Sequence, residues 1–129
     1  MLQFTTAAAK AMTTAVTIPF QTINWQGIEK TIHTGEKGWA SWQTIQFGGL
    51  RLRLVKYSAG YVADHWCAKG HIVHCLEGEL VSELKTGERF TLTAGMSYVV
   101  TDGASLHRSV TEEAVSLLII DGDFLKSAS

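Results

Sequence analysis

The sequence predicts an all-β fold, a single antiparallel domain built as a sandwich or a barrel. Short runs rich in Val, Ile, Leu, Thr and Tyr follow one another from Ala40 to Ile120 at close, regular spacing. Glycine-bearing turn signals separate those runs. Pro19 is the one proline of the chain, as expected where sheet ladders dominate. A length of 129 residues suits one domain with a respectable core and is too short for two.

In chain order, Thr5–Val16 is rich in Ala and Thr and reads as a flexible or helical N-terminal extension covering 1–18. It does not resemble a secretory signal, because no basic residue precedes it and Lys10 interrupts its apolar run. An irregular arm, punctuated by Pro19 and Gly27, runs to about Gly38. Strands are expected at Ala40–Phe47, Arg51–Ser58, Val62–Cys67, His71–Glu77, Leu80–Lys85, Arg89–Thr93, Ser97–Thr101, Arg108–Thr111 and Ala114–Ile120. Their breaks fall at Gly48-Gly49, Ala59-Gly60, Ala68–Gly70, Gly78, Thr86-Gly87, Ala94-Gly95, Asp102-Gly103 and Glu112-Glu113. Beyond Thr5–Val16, helix is expected only as a short piece near the C-terminus. With no repeat or linker, 19–129 reads as one domain.

Hydrophobic residues make up 46% of the chain and charged ones 18%, a globular rather than a disordered balance. The formal charge of -1 carries no long run of one sign, which argues against nucleic-acid and anionic-membrane partners. The apolar run Val115–Ile120 is far below bilayer-spanning length. A cytoplasmic address is the default expectation. Cys67 and Cys75 do not make a disulfide framework, although one bridge between adjoining strands is conceivable.

Chemistry concentrates in Asp64-His65-Trp66-Cys67-Ala68-Lys69-Gly70-His71. On a strand, alternation would point His65 and Cys67 the same way. After a turn over Ala68–Gly70, His71 could face back toward them from the head of the next strand. Imidazole and thiolate are good ligands for zinc and other late first-row metals. The alternative reading of Cys67 is an ordinary buried hydrophobe. His74 falls on the opposite strand face from His71 and reads as structural, and His33 in the arm carries no site signal.

These residues resemble the first motif of the cupins, G-x5-H-x-H-x3,4-E-x6-G. His65, Cys67, His71 and Gly78 fill it, with Gly60 near the opening glycine, Cys67 at the second histidine and His71 at the glutamate. Gly95, Thr101, Gly103 and His107 resemble the second motif, with threonine for proline and the histidine one residue late. Thr111 falls where that motif ends in asparagine. More narrowly, Asp64-His65-Trp66-Cys67 resembles the signature of the bacterial DHCW-motif cupins. The resemblance spans roughly Gly49 to Asp121 and implies an antiparallel cupin β-barrel, or jelly roll. It also implies one divalent transition metal ion on His65, Cys67, His71 and His107. Exchanging one histidine for a thiolate and the glutamate for an imidazole keeps three imidazoles and one anion but softens the set. That favours zinc and also suits nickel, iron, copper or cobalt.

Around such a centre, Arg51 and Arg53 share a strand face. Alternation favours a solvated arginine face with Leu50, Leu52 and Leu54 in the core; the opposite arrangement would let an arginine clamp a substrate carboxylate. Tyr98 either hydrogen-bonds a ligand or packs in the wall. Trp66, with Trp39 and Trp42, either lines a mouth or packs. Asp64 either orients a metal-binding histidine or fixes a turn. Cupins include isomerases, dioxygenases, lyases, binding proteins and sensors, so the fold does not choose a reaction. The expected function is that of a metal-dependent enzyme on a small molecule, with a non-catalytic binding or sensing module as the alternative. A homodimer is expected, the 17–38 arm extending a partner's sheet.

Overall fold

A computed structural model describes residues 16–127. The expected helix over Thr5–Val16 lies almost wholly outside the described residues. The described chain contains nine strands: β1 Thr31–Thr34, β2 Trp39–Phe47, β3 Leu50–Tyr57, β4 His71–Glu77, β5 Glu79–Leu84, β6 Arg89–Thr93, β7 Ser97–Val100, β8 His107–Val110 and β9 Val115–Gly122. Two three-residue 3-10 turns, Trp25–Gly27 and Asp123–Leu125, complete it. No helix among the described residues is long and apolar enough to cross a membrane.

All strand pairs are antiparallel. They form a six-stranded sheet in the order β1-β2-β3-β9-β4-β7 and a three-stranded sheet in the order β6-β5-β8. Each strand sends alternate side chains between the sheets. In β9 these are Val115, Leu117 and Ile119, all buried; with Val55, Val73, Cys75, Leu80 and Leu92 they make the core. Trp42, Tyr57 and Tyr98 close over it.

Three local expectations change. The arm is not wholly irregular, since Thr31–Thr34 pairs with β2 in the register Ile32↔Ser41. Val62–Cys67 is not a strand. Its backbone pairs with β8 only at the bridges Val62↔Val110 and Cys67↔His107, so five steps along this segment face three along its partner. The surplus residues bulge outward, and strict alternation is lost between the bridges. Third, the inward face of β3 is the arginine face. Arg53 and Val55 are buried while Leu50, Leu52 and Leu54 are only half-buried. The reason is a buried carboxylate on β9, described below. Both cysteines are free.

Gly78 links β4 to β5 at φ +83, and a Cβ there would lie 2.5 Å from the Ala114 carbonyl oxygen. Both the left-handed backbone and the close approach call for glycine. Gly78→Ala is expected to destabilise the fold by about 1–3 kcal/mol in urea unfolding; an unchanged midpoint would contradict the turn geometry.

Candidate metal centre

At one end of the barrel the sheet register gathers charge. Arg51 lies directly across from Asp121 on β3. On the other flank of β9, His71 lies one residue beyond the Ile72↔Ile120 pair, and so also opposite Asp121. Asp121 continues the inward alternation of Val115, Leu117 and Ile119 and is 1% exposed. Its carboxylate accepts from Arg51 Nε at 2.8 Å, Arg51 Nη2 at 2.9 Å, Arg53 Nη2 at 3.0 Å and His71 Nδ1 at 3.0 Å. Burial raises the Asp121 pKa, but His71 and the two guanidinium groups outweigh it and hold the carboxyl well below the usual range.

These bonds decide what His71 offers. With Nδ1–H committed to Asp121, its Nε2 faces Cys67, 3.6 Å from Sγ. His107 reaches the same place from β8, because Cys67 and His107 exchange both backbone hydrogen bonds, at 2.7 and 3.1 Å. Residues paired so directly project their side chains to one side. His107 Nδ1 donates to the Ser105 carbonyl at 2.8 Å, so Nε2 of the neutral ring carries a lone pair. That Nε2 is buried and has no hydrogen-bond partner. One donor atom each from Cys67, His71 and His107 lies within 4.8 Å of the others.

A thiolate and two imidazole Nε2 atoms, one of them orphaned, fit a late first-row divalent ion, and each imidazole is oriented by a carboxylate or a carbonyl as metal-binding histidines are. Without an ion, a proton serves. Burial pushes the Cys67 thiol up, but the His71 imidazole, 3.6 Å from Sγ, outweighs it and holds the thiol below its ordinary value. Burial lowers His71, and Asp121 and Cys67 outweigh that to raise it. In the metal-free arrangement each member of the pair therefore favours the charged form of the other.

His65 is not brought into this cluster. It sits in the bulge, with its side chain 74% exposed and Nδ1 bonded to Asp64 at 2.7 Å. Its ring touches the rim of the cavity in front of the cluster. Asp64 is exposed and fixes His65 rather than a buried ligand. Trp66 turns away from the cavity and lies beneath Arg108, 4.6 Å from the ring centroid, and Lys85, 5.3 Å from it. Tyr98 lines the cavity edge-on to His107, and burial raises its hydroxyl pKa. Trp42 lines it too, stacked on one face by His33 and under the Arg53 guanidinium. Thr111 is a clamp, donating to the Ser58 carbonyl and accepting from Tyr61 N. His74 bonds Ser97, away from the cluster.

Asp121 is the residue the sequence reading missed. Its signal was the period of two: Val115, Leu117 and Ile119 are inward, and one more step places Asp121 inward as well.

No family model matches the chain, and neither does any curated protein. Solved structures do resemble it. The polyketide cyclase RemF from Streptomyces resistomycificus superposes with a TM-score of 0.68 at 14% identity, over 81% of this chain and 80% of that one. Ectoine synthase from P. lautus gives 0.66 at 19% identity, over 81% and 78%. A cupin-2 domain protein of Rhodospirillum rubrum gives 0.63 at 17% identity, over 82% and 77%. The fold is that of a single-domain, all-β cupin.

A thiol held down in the folded state contributes stability that is complete above its unfolded value near 9 and is lost as pH falls through its lower folded value. In metal-free protein, alkylation of Cys67 is expected to follow a midpoint well below pH 9, with the fully buried Cys75 as the protected internal control. A midpoint near the ordinary 9 would contradict the thiolate–imidazolium pair.

Proposed function

We propose that the chain is a metal-dependent cupin of the DHCW-motif group that acts as an enzyme on a small molecule. Cys67, His71 and His107 hold one divalent transition metal ion, zinc first among the candidates. The observation that carries this reading is the buried, unpartnered Nε2 of His107, convergent with the Cys67 thiolate and the oriented His71.

Three protein ligands leave a position open, which supports catalysis over a closed structural or sensing site. The bulge that keeps His65 apart is what leaves the set at three. When bound, the ion would supply Lewis acidity toward a ligand oxygen or an activated water. The remaining work falls to the chain. Asp121 fixes the His71 tautomer, the Ser105 carbonyl fixes that of His107, and Trp42, Tyr57 and Tyr98 restrict water in a cavity of about 200 Å³. That is smaller than the roughly 300–1,000 Å³ usual for ligand pockets, and it suits a compact substrate. RemF and ectoine synthase are enzymes by name, but at their low identity they contribute a fold analogy alone.

Elemental analysis and chelator competition on purified variants test the ligand set. Cys67→Ala, His71→Ala and His107→Ala are each expected to weaken metal binding at least tenfold, whereas His65→Ala keeps a stoichiometric ion. Retention of one tightly bound ion by all four variants would overturn the proposal.

A further inference from the structure

The cavity in front of the cluster is lined by four cationic side chains, Arg51, Arg53, Lys69 and Arg108. Among the described residues lining it there is no carboxylate. Two of the cations are engaged. Arg108 donates to Glu83 at 2.8 Å and lies 3.6 Å from Glu36, and Arg51 holds Asp121 through two bonds.

Arg53 is different. It is 5% exposed and has one hydrogen bond from Nη2 to an Asp121 oxygen that already serves Arg51 and His71. Its Nε is buried with no partner. A guanidinium cannot shed its charge as a lysine can, so a buried one with an idle donor calls for an acceptor, and an anionic one suits it best. Lys69 stands at the cavity's open side, exposed and in no ion pair among the described residues. The formal ledger agrees. Asp121 and the Cys67 thiolate balance Arg51 and Arg53, so a divalent ion would bring both of its charges uncompensated, with Lys69 in addition.

We propose that the ligand of this cavity is a small carboxylate, held by Arg53 with Lys69 at the entrance. The guanidinium fork matches a planar carboxylate, and the small cavity admits a short-chain acid better than a bulky one. The inference deepens the metal-centre reading and rests on it for the identity of the site, but the anion-binding residues are separate from the ligands.

Calorimetry and thermal shift on the full chain, zinc-loaded and metal-free, test it. The probes are acetate, malonate and succinate, their neutral amides, and inorganic phosphate. At least one carboxylate is expected to bind saturably and raise Tm where its amide does not. Arg53→Gln should weaken that binding at least tenfold without loss of zinc, with Arg53→Lys intermediate. Lys69→Gln, at an exposed position that folding does not need, should weaken it several-fold. The proposal is overturned if no carboxylate outperforms its amide, if phosphate alone binds, or if Lys69→Gln and a folded Arg53→Gln both bind like the parent. Zinc retained with carboxylate binding absent rejects this inference alone. Carboxylate binding in a protein that never takes up zinc rejects the metal centre alone.

Discussion

The site end of this barrel depends on one buried carboxylate. Asp121 is almost wholly removed from water, a placement that would be prohibitive for an unpaired ion. It is tolerated because β3 and β4 flank β9 in a register that brings Arg51 and His71 opposite it, with Arg53 on the diagonal. The same carboxylate explains why β3 turns its arginines inward against the ordinary preference for leucine, and why a guanidinium lies over Trp42 in the wall of a pocket. A buried ionic cluster of this kind is a poor source of net stability compared with well-packed apolar residues. Its consequence lies instead in orientation: it sets the tautomer of His71 and gives the cavity its positive lining.

The cluster beyond Asp121 is then a problem of lone pairs. A thiolate and two imidazole nitrogens converge, and only a cation relieves their mutual repulsion. A proton on His71, which the thiolate and Asp121 favour, would do so in the metal-free chain, and a divalent ion would displace it, so metal uptake is linked to proton release. Softness of the thiolate and the constrained imidazoles both favour zinc or its neighbours over the alkaline-earth ions.

Much of this was legible in the sequence. His71–Glu77 and Arg89–Thr93 are strands with the expected bounds, and the other central strands shift by a residue or two. Cys67, His71 and His107 come together even though His107 falls one residue late in its motif, because a direct backbone bridge to Cys67 aligns it. What the sequence did not disclose were the non-local terms. The bulge between the Val62 and Cys67 bridges breaks the alternation that would have paired His65 with Cys67, and it emerges only once both bridges to β8 are placed. The inward arginines could not be separated from a solvated face until their carboxylate partner, some seventy positions away, was placed beside them. β1 was hidden because its four residues carry too little pattern to outweigh the loop signals around them.

X-ray absorption spectroscopy on the zinc-loaded protein tests the account most directly. A mixed shell is expected, with one sulfur at about 2.3 Å, two imidazole nitrogens at about 2.0–2.1 Å and a light oxygen donor in the open position. A shell without sulfur, or one with three imidazoles and sulfur closing a four-ligand site, would contradict it.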